Sequence, residues 1–204
     1  MKKCFGLVLC FSMIIIASAH IQAKEAFDNM RSDASEIVQL ENSTDILVAY
    51  FSCTGNTEPL AEYVSEIMKA DLYEITPEVP YTEDDIAYMV DDCRANIEQD
   101  DDSCRPAISG EPVNIQNYNV VFIAFPIWWG KEPRIIDTFM ESYDFSGKTL
   151  IPFCTSGSSG ITTAENNLHA ITDDTVQWLE GSRFRAGASK EDVEEWIDDL
   201  EVLD

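Results

Sequence analysis

Residues 45–60 read DILVAYFSCTGNTEPL, and this stretch decides the fold. Its first part, residues 46–51, is a continuous apolar run rich in β-forming residues, which is typical of a strand buried on both faces of a parallel sheet. A loop of short polar residues with one glycine follows. From residue 60 to residue 68 the apolar side chains recur at helical spacing, and Pro59 is tolerated in the first turn. The stretch therefore predicts a buried strand, a loop and a helix.

The same alternation continues along the chain. Further strands are predicted at 71–76, 119–125, 148–154 and 175–179, and further helices at 82–102, after Pro133, at 161–171 and after Ser189. Pro152 removes a hydrogen-bond donor from the fourth strand, so a bulge is expected there. Ser189 and Asp192 form a capping-box pattern. Alternating strands and helices predict an α/β fold in three layers, a doubly wound five-stranded parallel sheet with helices on both faces.

The N-terminal 44 residues differ from the rest. Residues 1–23 combine a short basic start, an apolar run and small residues, which predicts a secretory signal peptide. A membrane anchor is the alternative, since the apolar run is only slightly shorter than a bilayer requires. Residues 24–44 are polar and aperiodic and are predicted to be a flexible tether before a domain at 45–204. The expected location is extracytoplasmic, that is secreted, periplasmic or in the cell envelope, without stable membrane insertion if the peptide is cleaved.

The charge of the chain limits its partners. The 204 residues carry a formal net charge of −25. Such a protein lacks the basic surface that nucleic acids and anionic membranes require. Its acidic surface either attracts a partner protein with a basic surface or simply keeps an exported protein soluble. After cleavage the only histidine is His169, which argues against a metal site and against hydrolysis with Ser156 or Ser158.

Four cysteines remain after the predicted cleavage. Cys93 and Cys104 are close in sequence and lie in an acidic segment without its own core, so in an oxidising compartment they are predicted to form a disulfide. Cys53 and Cys154 are predicted to be free or buried as small apolar residues. No CxxC pair occurs, which argues against a thioredoxin-type site.

Three loops leave the carboxyl ends of predicted strands, where open α/β sheets bind their ligands. The first loop, residues 52–57, lacks the lysine of a Walker A motif and the three glycines of a dinucleotide fingerprint. It has four short side chains that can donate hydrogen bonds, and it precedes a helix N-terminus that favours an anion. Its amides could form a nest around the phosphate of a bound cofactor. An ordinary polar helix start is the alternative.

This first loop, SCTGNT, resembles the phosphate loop of flavodoxins and flavodoxin-like FMN proteins such as quinone reductases, whose common form is Ser/Thr-x-Thr-Gly-Asn-Thr. The resemblance extends over most of residues 45–201. It implies the strand order 2-1-3-4-5, FMN as cofactor, and either electron transfer or reduction of a small acceptor. The residues it places at the phosphate are Ser52, Cys53, Thr54, Gly55, Asn56 and Thr57.

The resemblance also assigns flavin contacts to the second loop (126–133) and the third loop (155–160). An indole at Trp129 can stack on the flavin ring, and Gly130 lets the backbone approach it. A pair of core tryptophans is the alternative. The implied cofactor-binding residues are Pro126, Ile127, Trp128, Trp129 and Gly130 in the second loop, and Thr155, Ser156, Gly157 and Gly160 in the third.

Two departures from electron-carrier flavodoxins affect the expected function. The third loop has no aromatic residue, which would leave one flavin face open for hydride transfer, as in the quinone reductases. Lys131 places a cation where such carriers tend to have acidic residues, and we hypothesise that it raises the reduction potential of the flavin. No residue stands out as a catalytic acid or base. The alternative function is a non-catalytic extracytoplasmic binding module, with another phosphate or glycan ligand or no cofactor.

Overall fold

A computed structural model of the protein describes residues 45–200. Its strands are β1 (Ile46–Tyr50), β2 (Asp71–Glu74), β3 (Val120–Pro126), β4 (Thr149–Thr155), β5 (Gln177–Trp178) and β6 (Ser182–Phe184). Its helices are α1 (Glu58–Met68), α2 (Arg94–Asp100), α3 (Arg134–Ser142), α4 (Thr162–Ala170) and α5 (Lys190–Asp199), with a 3-10 turn at Ile115–Asn117. The predicted signal peptide (1–23) and tether (24–44) lie outside the described residues.

The strands form one sheet in which every pair is parallel. The strand order is β2-β1-β3-β4-β5, and β6 also pairs with β4. This confirms the predicted order 2-1-3-4-5. Every residue of β1 is buried, because the strand is central and both of its faces are covered. Leu47 and Ala49 lie in one core, and Ile46, Val48 and Tyr50 lie in the other.

Helices cover both faces of the sheet, and α1, α3, α4 and α5 contribute apolar side chains to its two cores. The core on one side includes Ile136 and Phe139 of α3 together with Leu168 of α4. The opposite core includes Val64 of α1 and Val193 of α5. The predicted capping box at the start of α5 is present. Within residues 45–200, no helix is both long enough and apolar enough to cross a membrane.

The edge of the sheet differs from the prediction at Pro152. β4 runs through this residue without interruption. Instead, the strand position next to β4 is occupied by two short strands, β5 and β6, which pair with different parts of β4. The carbonyl oxygen of Pro152 faces Gly181 so closely that a Cβ atom there would lie 2.5 Å from it. Because proline has no backbone N–H, Pro152 cannot donate a hydrogen bond on that side, and the pairing along β4 is interrupted between β5 and β6. The Gly181 N–H donates to Glu165 Oε1 at 2.9 Å instead.

The predicted acidic helix at 82–102 is wrong in its first half, since turns and bends occupy 83–93 and α2 begins only at Arg94. Thr82 and Asp85 make the same reciprocal bonds as the capping box of α5, but only turns follow them, because a helix here would have little apolar surface to pack against the core. Tyr88, Met89 and Val90 of this part are exposed rather than packed as a stripe. We call residues 78–113 the insertion.

The predicted Cys93–Cys104 disulfide is absent from the structure, since all four cysteines of residues 45–200 are free thiols. Cys93 precedes α2 and Cys104 follows it. A helix of this length rises about 10 Å, whereas a disulfide spans at most about 7 Å between Cα atoms. Cys154 is buried in the core, and burial raises the pKa of its thiol to about 12.

Candidate functional site

The three loops lie side by side at the carboxyl edge of the sheet, because β1, β3 and β4 are parallel neighbours. The hydroxyl oxygens of Thr57 and Thr155 lie 2.8 Å apart and join the first loop to the third. The Ile127 N–H donates to the Thr155 carbonyl oxygen at 2.9 Å and joins the second loop to the third. These bonds hold the three loops together at this edge of the sheet, and Thr57 and Thr155 are themselves buried between them.

The first loop presents backbone N–H groups that are not used by the fold. Gly55 has a φ of 71°, a conformation that glycine adopts without strain. Thr57 N–H donates to Ser52 Oγ at 3.3 Å, and the Asn56 amide donates to Thr54 Oγ1 at 2.8 Å. The N–H groups of residues 53–56, in contrast, have no partner within the described part of the chain. Unpaired donors beside the start of α1 suit an anion.

Cys53 lies within this first loop, where its surroundings disfavour the thiolate form. Burial raises the pKa of its thiol, an effect that the charge of Arg94 only partly offsets. The thiol is therefore protonated at neutral pH, and the thiolate that cysteine chemistry requires is scarce. The residue contributes its backbone N–H to the loop, and its side chain packs against the core.

The second loop makes a tight turn around Trp129 and Gly130. The N–H of Trp128 donates to the Lys131 carbonyl oxygen at 2.9 Å, and the reverse bond is 3.1 Å. Trp129 has a φ of 51° and Gly130 a φ of 82°, as in a type I′ turn. This conformation is uncommon and strained for tryptophan, and such strain concentrates at functional sites. The Trp129 side chain is nevertheless 48% exposed, so the core does not account for it.

Trp128 has the opposite environment. Its ring lies 5.7 Å from that of Phe51 and 5.3 Å from that of Tyr81, both edge to face. The Trp129 ring is 6.3 Å away and nearly perpendicular to it. The alternative of two core tryptophans therefore holds for Trp128 only, and Trp129 remains available to a ligand.

Gln99 is a residue of the site that the sequence did not reveal. It lies in α2, is buried, and donates from Nε2 to the carbonyl oxygens of Trp128 and Glu132, at 3.1 Å each. Its Oε1 accepts from the Arg134 N–H at 3.2 Å. Gln99 thus fixes the second loop at both ends. Its surroundings in the sequence are acidic and polar, so no pattern marked it as buried.

Lys131 points toward the insertion. Its Nζ lies 3.1 Å from the Asp102 carboxylate, which also binds the guanidinium group of Arg134. Both cations share one acidic partner, so the positive charge of Lys131 is partly compensated. The hypothesis that Lys131 raises the potential of a bound flavin stays a prediction, and this ion pair weakens the expected effect.

A buried carboxyl group, Glu132, lies at the end of the second loop. Its side chain has no solvent exposure, and Asn167 Nδ2 lies 3.0 and 3.2 Å from its two oxygens. Burial raises the pKa of Glu132 to about 7, and the charge of Asp137 acts in the same direction. Burial likewise raises the pKa of Asp137, although Arg134 lies 3.1 Å from it.

The third loop is held by β6. Ser156 N–H donates to the Phe184 carbonyl oxygen at 2.9 Å, and the Arg183 guanidinium donates to the Ser156 carbonyl oxygen at 3.1 Å. Arg183 therefore brings a cation to the site, and the sequence did not predict it because β6 is too short to show a pattern.

His169 is at the far end of α4, where its ring packs 4.5 Å from that of Trp178.

Known proteins match the whole described domain. A family model described as flavodoxin matches residues 45–200. The chain belongs to the flavodoxin family. Candidate flavoproteins from Bacteroides eggerthii and Bacteroides uniformis are 40% and 43% identical to this flavodoxin, each with a TM-score of 0.71. They cover 77% and 75% of this chain and 98% and 97% of their own.

More distant flavoproteins share the fold of this flavodoxin. A flavoprotein from Lactobacillus acidophilus, solved in complex with FMN, is 23% identical and has a TM-score of 0.55. The match covers 74% of this chain and 97% of that one. At this identity the likeness shows the fold alone. No curated protein matches this flavodoxin.

Proposed function

We propose that this flavodoxin is an exported protein that binds FMN non-covalently and either transfers electrons or reduces a small acceptor such as a quinone. One observation carries the proposal. The backbone N–H groups of residues 53–56, which have no partner, and the exposed, strained Trp129 lie on loops that hydrogen bonds hold together. The bound flavin would supply the redox chemistry, and the protein would supply binding and orientation. The FMN complex of the Lactobacillus acidophilus flavoprotein supports the choice of FMN.

The first loop would hold the phosphate with neutral groups. The N–H groups of residues 53–56 and the hydroxyl of Thr54 are donors, and α1 adds the positive end of its dipole. Hydrogen bonds to a charged acceptor contribute about 1.5–3 kcal/mol each. Several such bonds bind a dianion tightly without activating it, which suits a phosphate that anchors a cofactor and does not react.

The second loop would orient the ring. The Trp129 indole has enough exposed surface to stack on a flat ligand, and stacking of this kind adds to the free energy gained from burial. Gly130 has no Cβ atom, so its backbone can come within hydrogen-bond distance of ring atoms. The backbone hydrogen bond from Ile127 to Thr155 fixes the position of the second loop beside the third loop.

A titration with two ligands tests the proposal. Tryptophan fluorescence of the protein is followed while FMN or riboflavin, which lacks the phosphate, is added. We expect FMN to quench the emission and riboflavin to bind at least about 100-fold more weakly, because the bonds to the phosphate are lost. Failure of both ligands to bind contradicts the proposal, and equal affinity contradicts the role of the first loop.

A matched pair of variants localises the effect. Thr54→Val removes one exposed hydroxyl from the first loop, and we expect it to weaken FMN about 10-fold and to leave riboflavin unchanged. Thr162→Val makes the same change at the exposed start of α4 and should affect neither ligand.

Export is proposed on the basis of the N-terminal pattern. The intact mass of the protein recovered from its native cells tests it, and loss of residues 1–23 is the expected result. A retained N-terminus would contradict cleavage and favour the membrane anchor.

Adding NADH or NADPH to the FMN complex would distinguish a reductase from an electron carrier. A reductase would lose its yellow colour, whereas a carrier would keep it.

A further inference from the structure

The insertion and the second loop line a cavity of about 290 Å³ that is open to solvent on one side. The insertion contributes Ile86, Tyr88 and Ala95 to its lining, and the second loop contributes Ile127, Trp128 and Trp129. All six side chains are apolar or aromatic. A cavity near the lower end of the roughly 300–1,000 Å³ range of small-molecule sites fits one flat ring system and not a whole dinucleotide.

The wall that carries Tyr88 is fixed although it contains no regular structure. Asn96 Nδ2 donates to the carbonyl oxygens of Tyr88 at 3.2 Å and Val90 at 2.7 Å. The Ala95 N–H donates to the Asp85 carbonyl oxygen at 2.9 Å. Because Asn96 and Ala95 belong to α2, and α2 is bound to the second loop through Gln99, the two walls of the cavity are held in a defined relation.

Aromatic surface on both walls is accessible to solvent. Tyr88 is 67% exposed and Trp129 is 48% exposed, although both line the cavity. A flat ligand in the cavity would cover surface on both rings, and burial of such surface is favourable. The third loop, in contrast, offers no aromatic side chain to a flavin.

We propose that this cavity receives the ring system of the flavin, and that Tyr88 of the insertion supplies the aromatic contact that the third loop lacks. The inference rests on the proposed function and extends it to a segment outside the three loops. The phosphate stays at the first loop, which contributes no residue to the cavity lining. The insertion is then a part of the binding site and determines which ring systems fit.

Affinities for FMN and riboflavin test the role of Tyr88. Because the lost contact is to the ring, Tyr88→Ala should weaken both ligands by the same factor, at least about 10-fold. Tyr88→Phe keeps the ring and should bind as the wild type does. Met89→Ala is the matched control, since Met89 is 82% exposed and does not line the cavity. Ala95→Leu fills the cavity from α2, on the same wall as Tyr88, and should also weaken both ligands.

The outcomes separate this inference from the proposed function. If the wild type binds FMN and both Tyr88→Ala and Ala95→Leu bind it equally well, the cavity does not hold the ring, while the proposed function stands. If Tyr88→Ala weakens FMN alone, Tyr88 acts on the phosphate and the inference is wrong. If the wild type binds neither FMN nor riboflavin, the proposed function fails and the inference fails with it. Unchanged thermal unfolding of each variant shows that the fold is intact.

Discussion

The adjacent residues Trp128 and Trp129 have different surroundings, so their substitution should have different effects. Trp128→Ala removes a ring packed against Phe51 and Tyr81, and we expect the free energy of unfolding to fall by about 2–4 kcal/mol. Trp129→Ala should cost far less stability but weaken FMN and riboflavin at least about 10-fold. Urea unfolding and flavin titration measure the two effects. Equal losses of stability with unchanged affinity would mean that both rings are structural.

Glu132 should make the stability of the protein depend on pH. Its carboxyl pKa rises on folding from an ordinary value of 4.5 to about 7. Between these pH values the folded chain keeps a proton that the unfolded chain has lost, so the free energy of unfolding falls as pH rises. Below about pH 4.5 both states are protonated, and this group contributes no pH dependence.

Glu132→Gln tests this dependence. One unit of pKa corresponds to about 1.4 kcal/mol, so we expect the wild type to lose on the order of 3 kcal/mol between pH 4.5 and pH 7.5 through this group. The variant stays neutral and should lose correspondingly less. Urea unfolding at several pH values gives both curves, and parallel curves would show that Glu132 is not the titrating group.

At the scale of elements, α2 acts on the site through Gln99. Gln99→Ala leaves the buried N–H of Arg134 and two carbonyl oxygens of the second loop without their partner. We expect the free energy of unfolding to fall by about 1–3 kcal/mol and flavin affinity to fall as the loop loosens. Gln116→Ala is the control, because Gln116 makes an exposed hydrogen bond to Asp144. Equal effects of the two variants would show that α2 does not support the loop.

The elements that the sequence predicted well are those with strong local signals. β1 and β3 are continuous apolar runs, and the box of Ser189 and Asp192 marks the start of α5. The loops could be placed because parallel strands bring their carboxyl ends together. The separation of β5 from β6 depends instead on a contact between Gly181 and Pro152, which are distant in sequence. The insertion is held by polar contacts, and these leave no periodic pattern.

At the scale of the whole molecule, a net charge of −25 opposes the approach of the FMN phosphate. If neutral groups bind the phosphate, screening by salt should speed association, several-fold between about 0.02 and 0.2 M ionic strength. Riboflavin is uncharged and serves as the control, with no change expected. Stopped-flow quenching measures both rates. Slower FMN binding at high salt would mean that a cation such as Arg183 attracts the phosphate.

The most direct test of the account is an NMR titration of ¹⁵N-labelled protein. The central claim is that the free N–H groups of residues 53–56 bind the phosphate of FMN. We expect their amide signals to shift strongly with FMN and only slightly with riboflavin, while both ligands shift the indole signal of Trp129. Amide signals at 53–56 that respond equally to the two ligands, or to neither, would contradict the claim.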